Sequence, residues 1–198
     1  MADRLTVQDV HKRPIYDIVI EENFDSLSSE MLTLKSDQKK LCIVADSNVA
    51  ALYGKQVMEI LSGCCKKAEL FVFPAGEAHK NLDTVKSLYE FLILKKFDRS
   101  DMLVALGGGV TGDLCGFAAA TYLRGILFVQ IPTTLLAQVD SSIGGKTGVD
   151  FDAYKNMVGA FHMPSLVYTN LSVLKTLDAE QFSSGMGEII KHGLIKHA

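Results

Sequence analysis

Residues 102–116 of this chain read MLVALGGGVTGDLCG: an apolar run breaks into three consecutive glycines and continues as a run of small residues. Gly107, Gly109 and Gly112 match the pattern G-x-G-x-x-G between a predicted strand and a predicted helix. In this setting the first backbone amides of the helix can bind the pyrophosphate of a dinucleotide. A tight turn from strand to helix also requires glycine, so the spacing alone leaves both interpretations open.

Two features differ from an ordinary dinucleotide-binding fingerprint. The pattern lies in the middle of the chain rather than at its first strand, and Val129-Gln130-Ile131 stand where an acidic residue is expected about 20 positions later. Asp113 falls in the first turn of the predicted helix, where the helix dipole favours a carboxylate. The same charge would repel a phosphate, so we expect Asp113 to hold a hydroxyl or a backbone group.

A second apolar run, Ile126–Ile131, leads into a dense polar stretch. The polar residues after it include Thr133, Thr134, Gln138, Asp140, Ser141, Ser142, Lys146, Thr147, Lys155 and Asn156. A packed core does not need this density of polar side chains, whereas a site for a phosphorylated, polyhydroxylated ligand does. The run GGKT at 144–147 resembles the end of a P-loop, but Asp140 occupies the position of the required glycine and a predicted helix precedes it, which excludes that motif. Lys146 is then either a ligand contact on a glycine turn or a solvated surface lysine.

Strand-like and helix-like patterns alternate along the rest of the chain. The predicted strands are 15–21, 41–45, 70–73, 102–106, 126–131 and 166–168, and the predicted helices are 24–34, 49–61, 81–97 and 114–122. Asp46, Ser47 and Asn48 supply good N-cap residues for the second helix. This alternation predicts an α/β fold with a mostly parallel sheet flanked by helices.

Composition excludes several classes of function. The 198 residues carry a net charge of -3, which predicts no nucleic-acid partner, and no apolar run approaches the length of a membrane span. No apolar stretch follows the N-terminal charges, so we expect no signal peptide. The four cysteines form no C-x-x-C pair, and Cys42 and Cys115 lie in apolar runs as expected of core thiols. A cytoplasmic location fits this pattern.

From Ala179 onward the pattern is purely helical, and it runs to Ala198 without a terminating glycine or proline. We therefore expect residues 178–198 to be the first helix of a truncated, all-helical second domain, with 1–177 forming the α/β domain. Glu188, Lys191 and His192 share one face of this helix at spacings i, i+3 and i+4. Such a group either contributes to a metal site or is a surface ion pair.

Four stretches resemble the 3-dehydroquinate synthase family. They are ALGGGVTGDLCGFAAATYLRG (105–125), QIPTTLLAQVDSSIGGKTGVD (130–150), KNMVGAF (155–161) and GEIIKHG (187–193). The resemblance implies an N-terminal NAD-binding α/β domain followed by a helical, metal-binding domain, and it predicts a homodimer. It also implies a lyase of the shikimate pathway of aromatic amino acid (chorismate) biosynthesis, which converts the small phosphorylated sugar acid 3-deoxy-D-arabino-heptulosonate 7-phosphate to 3-dehydroquinate and phosphate.

The resemblance implies cofactors and site residues as well. NAD is reduced and regenerated within each turnover, and a divalent metal, zinc or cobalt, acts as a Lewis acid. The implied NAD-site residues are Asp46, Asn48, Gly76, Glu77, Lys80, Gly108, Gly109, Val110, Thr111, Gly112, Asp113, Thr133, Thr134, Lys146, Lys155, Thr176 and Gln181. The implied substrate-site (catalytic) residues are Arg124, Asp140, Lys146, Asn156 and Lys191.

Glu188 matches the family's single carboxylate metal ligand, and the two histidine ligands of the family are expected beyond Ala198. His192 falls where the family usually has an aromatic residue, so the resemblance does not make it a ligand. Since catalytic zinc needs three protein ligands, we expect this stretch alone to bind NAD weakly at most and to be inactive. Two alternatives stay open: another sugar phosphate cyclase such as 2-deoxy-scyllo-inosose synthase, or a non-catalytic NAD-binding module.

Overall fold

The computed structural model describes residues 3–196. Its strands are β1 Asp3–Gln8, β2 Pro14–Glu21, β3 Lys40–Asp46, β4 Lys67–Phe73, β5 Met102–Gly107, β6 Leu127–Pro132, β7 Lys146–Phe151, β8 Tyr154–Phe161 and β9 Leu166–Asn170. Its helices are α1 Leu27–Thr33, α2 over residues 47–62 with a π-helical centre at Ala50–Gly54, α3 Leu82–Leu94, α4 Gly109–Thr121 and α5 Ala179–Lys196. A π-helical segment, Ala137–Ser141, and short 3-10 turns connect them.

Seven strands form one sheet in the order β1-β2-β9-β6-β5-β3-β4, and every neighbouring pair except β1–β2 is parallel. The predicted α/β fold with a mostly parallel sheet is therefore confirmed. The strand predicted at 15–21 is the second strand, because the mixed and largely exposed segment Asp3–Gln8 also pairs at the edge. β7 and β8 form a separate antiparallel hairpin, which the periodicity did not predict.

The two faces of the sheet bury alternating side chains of the same strands. On β3, Leu41 and Ile43 contribute to a core shared with α1 and α2, whereas Cys42 and Val44 contribute to a core shared with α3 and α4. This period of two is what a strand covered on both faces requires. The Cys42 thiol is completely buried, and burial raises its pKa well above the usual range.

The helix predicted at 114–122 begins earlier, at Gly109, so the second and third glycines of G-x-G-x-x-G lie inside α4. The glycine pattern therefore sets how closely this helix approaches its neighbours. A Cβ on Gly112 would lie 2.6 Å from Gln130 Oε1 of β6, and one on Gly116 would lie 2.4 Å from Thr147 Cγ2 of the hairpin. The absence of side chains at these positions lets α4 pack between the sheet and the hairpin.

Helix α5 begins at Ala179, as the change of periodicity predicted. Gly185 packs against the Leu135 side chain, since a Cβ there would lie 2.6 Å from Leu135 Cβ. Further along, Ile190 and Leu194 are 58% and 74% exposed, so the packing of α5 becomes sparse toward its end. No helix within residues 3–196 is both long and apolar enough to cross a membrane.

Replacing Gly116 with alanine is expected to lower the free energy of unfolding by about 1–3 kcal/mol, because the added methyl overpacks a filled space. Thr147 cannot turn away without losing a bond, since its hydroxyl donates to the Ala160 carbonyl at 2.7 Å. The matched control is Gly187→Ala in α5, where an added Cβ meets no described atom within 4 Å. Alanine is also the better helix former, so that variant should be neutral or up to about 1 kcal/mol more stable. Urea unfolding measures both, and an unchanged midpoint for Gly116→Ala would contradict the packing argument.

Candidate functional site

The strand-end pocket, of about 640 Å³, lies at the carboxyl ends of the parallel strands. This is where ligands bind in open α/β sheets. Its walls come from the ends of β3 and β4, the start of α4, the segment after β6 and the start of α5. The lining includes Asp46, Asn48, Gly76, Glu77, Lys80, Gly108, Gly109, Val110, Thr111, Asp113, Thr133, Thr134, Thr176 and Gln181.

The floor of the strand-end pocket is formed by glycine backbone, from which no side chains project into the pocket. A Cβ on Gly108 would lie 3.0 Å from Thr134 Cγ2, and one on Gly109 would lie 3.0 Å from Ser141 Oγ. Gly108 stands at the N-cap of α4 and offers no side chain to cap the first amides of that helix. The floor therefore leaves room for a ligand against an uncapped helix N-terminus, which attracts anions.

Two buried hydroxyls beside this floor lack a hydrogen-bond partner within residues 3–196. They are Thr133 Oγ1, on a side chain that is 5% exposed, and Ser141 Oγ. An unpaired buried hydroxyl costs free energy that a ligand oxygen can recover. The open helix N-terminus and these hydroxyls together fit the pyrophosphate and hydroxyl groups of a dinucleotide.

Asp46 gives the pocket a fixed carboxylate at the end of β3. One oxygen, Oδ1, accepts the Asn48 and Val49 amides at 2.9 and 3.1 Å, which confirms the predicted N-cap of α2. The other, Oδ2, accepts the Thr111 hydroxyl at 3.5 Å. A carboxylate therefore stands at the end of β3, next to β5, although none follows the glycine pattern on β6.

The hairpin pocket, of about 590 Å³, adjoins the strand-end pocket and shares Asp113 and Ser141 with it. Asp140, Lys146 and Asn156 also line it, together with the backbone of Gly148 and Gly159. Gly144 and Gly145 have positive φ values of 92° and 66°, which glycine adopts without strain. They form the predicted glycine turn that presents Lys146.

A buried tyrosine holds that turn. The Tyr16 hydroxyl, on β2, accepts the Gly144 amide at 3.2 Å, and the Tyr16 side chain is only 4% exposed. Tyr16 lies in the strand predicted at 15–21, but the strand pattern did not indicate this role, because the partner of the hydroxyl lies far away in the chain. The one available signal was a tyrosine on an otherwise aliphatic strand face.

Lys80, which is buried, and Asp113, which is partly buried, form an ion pair where the two pockets meet. Lys80 Nζ donates to Asp113 Oδ2 at 2.5 Å and to Asn156 Oδ1 at 2.6 Å. Burial raises the pKa of Asp113, and the ammonium of Lys80 opposes that rise. The sequence did not indicate this partner, a lysine from the loop after β4; a contact between Asp113 and a ligand hydroxyl stays a prediction.

Asp140, Glu188 and His192 bring one donor atom each to within 4.8 Å of one another. His192 Nε2 lies 3.6 Å from Asp140 Oδ1 and 4.0 Å from Glu188 Oε2, and Lys191 pairs with the same Glu188 oxygen. Two carboxylates and an imidazole are ligands that zinc accepts, so the donor set fits a divalent metal. The i, i+4 spacing pointed to Glu188 and His192, but no sequence signal identified Asp140 as their neighbour.

Five predicted site residues lie outside the two sets of pocket-lining residues: Glu188, which lies with the candidate metal donors, and four others. Arg124 stands in an exposed turn with φ 71°, and Lys155 is exposed and lies 3.7 Å from Glu77. Gly112 is buried within α4, where it allows the helix to pack closely against Gln130 of β6, and Lys191 pairs with Glu188. The structure therefore brings most of the predicted residues together but leaves these four at the margin.

The sequence model described as 3-dehydroquinate synthase N-terminal matches residues 70–184, more than half of the chain. The chain belongs to this family. The 3-dehydroquinate synthase of Acetivibrio thermocellus is 47% identical over 91% of the chain, and that of a Streptococcus pneumoniae strain is 50% identical over 95%. The alignments cover 50% and 53% of these relatives, so the chain spans about half of their length.

Solved structures of related cyclases share the fold of this family member. A 2-deoxy-scyllo-inosose synthase complexed with carbaglucose-6-phosphate, NAD+ and Co2+ matches all of the chain and 52% of its own, with a TM-score of 0.88 and 28% identity. A 2-epi-5-epi-valiolone synthase from Streptomyces hygroscopicus with NAD+ and Zn2+ bound matches 94% of the chain and 51% of its own, with a TM-score of 0.79 and 34% identity.

Tyr16→Phe is expected to speed hydrogen exchange at the Gly144 amide by about tenfold and to cost about 1 kcal/mol of stability, the usual worth of one hydrogen bond. Tyr154→Phe, on a side chain that is 65% exposed, is the matched control and should change neither quantity. Amide exchange followed by NMR, with urea unfolding in parallel, makes the measurement. Equal Gly144 exchange in the wild type and Tyr16→Phe would show that the hydroxyl does not hold the turn.

Proposed function

We propose that this chain is the cofactor-binding half of a 3-dehydroquinate synthase. The observation that carries the proposal is the adjacency of the two pockets, which share Asp113 and Ser141. A dinucleotide in the strand-end pocket would place its reactive end beside a pocket with cationic and carboxylate side chains. Identities of 47–50% to curated 3-dehydroquinate synthases support the choice of reaction.

NAD would lie over Gly108 and Gly109, with its pyrophosphate at the N-terminus of α4 and near Thr133 and Ser141. Asp46 offers carboxylate oxygens to ribose hydroxyls from the end of β3. When bound, NAD supplies a reversible hydride acceptor, and a divalent metal polarises the oxygen at the reacting carbon.

The residues of the hairpin pocket would position the substrate. Lys146 presents an ammonium to an anionic group of a phosphorylated sugar acid, and Asn156 offers an amide to its hydroxyls. Asp140, at the end of the π-helical segment, offers a carboxylate oxygen that accepts a proton in a hydrogen bond from a substrate hydroxyl. These groups bind and orient the substrate next to the cofactor.

Glu188 would be a metal ligand on this chain, and Asp140 and His192 lie within reach of an ion held there. With Glu188 bound to the metal, the Lys191 ammonium would pair with an anionic group of the substrate instead of with Glu188. The division into domains at residues 177 and 178, the homodimer, the shikimate pathway and the cytoplasmic location stay predictions.

A different sugar phosphate cyclase is the second candidate function. The high structural similarity to 2-deoxy-scyllo-inosose synthase favours it. Because the fold and the dinucleotide pocket are common to both readings, only the choice of substrate separates them.

Gly109→Val is expected to weaken NAD binding by about tenfold or more, because the valine side chain fills the floor of the pocket. A tenfold loss of affinity corresponds to about 1.4 kcal/mol of binding free energy. Gly193→Val, in α5, is the control because an added Cβ there meets no described atom within 4 Å. Calorimetric titration of the chain and both variants with NAD measures the affinities. Equal affinity in the Gly109→Val variant, with an intact fold by circular dichroism, would place NAD elsewhere.

A chimera tests the reaction itself. Residues 1–198 replace the corresponding half of the Acetivibrio thermocellus synthase, and release of phosphate from 3-deoxy-D-arabino-heptulosonate 7-phosphate is followed with NAD and zinc. We expect turnover in the chimera and a loss of about 100-fold or more in its Lys146→Met variant, because the ammonium faces developing phosphate charge. A folded, NAD-binding chimera that is inactive on this substrate but active on glucose 6-phosphate would favour the second candidate instead.

A further inference from the structure

Lys80 joins three separate elements of the fold. It follows the 3-10 turn Glu77–His79, and its side chain is 5% exposed. Its ammonium donates to Asp113 of α4 at 2.5 Å and to Asn156 of β8 at 2.6 Å. One buried cation therefore ties the loop after β4 to the central helix and to the hairpin.

Backbone contacts reinforce the link to the hairpin. The Asp150 amide donates to the Lys80 carbonyl at 2.8 Å, and the Asn156 amide donates to Asp150 Oδ1 at 2.7 Å. Asn156 takes a left-handed conformation with φ 57°, which asparagine tolerates better than most residues. The conformation of Asn156 is thus held from both its amide and its side chain.

Lys80 differs from a lysine whose ammonium is free to bind a cofactor. Two of its three donors are used within the chain, and its charge is matched by Asp113. The same loop contributes Ala75, Gly76 and Glu77 to the strand-end pocket, so a ligand there touches the segment that Lys80 anchors.

We propose that Lys80 is a positioning residue that couples the two pockets, transmitting occupancy of the strand-end pocket to Asn156 in the hairpin pocket. This inference rests on the proposed function, in which NAD occupies the first pocket and substrate the second. It extends the expected role of Lys80 from contacting NAD to fixing the hairpin against which substrate binds. Ordering of one site by a ligand at another is a coupling free energy between the sites.

The decisive variant is Asn156→Gly, because glycine keeps the left-handed backbone and removes only the acceptor for Lys80. Asp152→Gly is the matched control: Asp152 has φ 51° in the same hairpin and makes no described hydrogen bond to Lys80. Hydrogen exchange at the 150 and 156 amides is measured in both variants and in the wild type, with and without saturating NAD.

In the wild type and in Asp152→Gly, NAD should slow exchange at both amides by about tenfold, the factor that a hydrogen bond to a charged group can supply. In Asn156→Gly this protection should vanish while the calorimetric affinity for NAD changes by less than about threefold. Asn156→Asp, which keeps an acceptor oxygen for the ammonium, should restore the protection. A merely structural role would change exchange without NAD but leave the protection ratio equal in all variants, and that result would overturn the proposal.

Lys80→Met provides the second test from the other side of the contact, with Lys86→Met on the exposed face of α3 as its charge-matched control. Loss of NAD protection at the hairpin with NAD affinity retained would support coupling. A large loss of NAD affinity with hairpin protection intact at saturation would make Lys80 a cofactor contact only, and would overturn it. If calorimetry shows that the wild type does not bind NAD, the proposed function fails; if NAD binds but the hairpin is not protected, only the coupling fails.

Discussion

The rest of the molecule depends on the close packing of helix α4, which its glycines allow. This helix lies between the central strands and the β7–β8 hairpin, and it carries glycine at two close approaches. Gly112 faces Gln130 of β6, and Gly116 faces Thr147 and Phe128. Without side chains at these points the helix axis comes closer to the sheet, and the hairpin can close over its outer side.

This close packing places polar chemistry inside a region that is otherwise buried. Asp113 follows Gly112 directly, so the carboxylate emerges between the sheet edge and the hairpin rather than in open solvent. Burial raises the pKa of the Asp113 carboxylate, and the neighbouring Lys80 ammonium offsets part of that rise. The geometry that makes room for a ligand therefore also favours an ion pair beside it.

Much of the fold could be predicted from the sequence where burial imposes a period. The strand predicted at 41–45 is observed as Lys40–Asp46, and the helix predicted at 81–97 as Leu82–Leu94, with Asn81 accepting the Thr84 amide as its cap. The hairpin could not be found in this way, because β8 exposes most of its length and two facing glycines, Gly148 and Gly159, interrupt the pattern. The hairpin packs against α4, and no local sequence pattern encodes that contact.

In the candidate site, too, some residues could be predicted from the sequence and others could not. The family resemblance implied site residues at the strand ends, such as Asp46 and Thr133, and the structure brings them together because the carboxyl ends of parallel strands meet at one edge of the sheet. Some partners come from distant elements, such as Tyr16 for the glycine turn and Asp140 for Glu188. These pairs depend on tertiary packing, so no spacing in the sequence predicts them. The strand-end pocket is consequently built on strand ends, whereas two of the three candidate metal donors, Glu188 and His192, lie on helix α5, whose packing becomes sparse toward its end. If NAD binds as proposed, the strand ends would hold it with little reorganisation, while Glu188 and His192 on α5 would need further contacts to hold them in place for a metal.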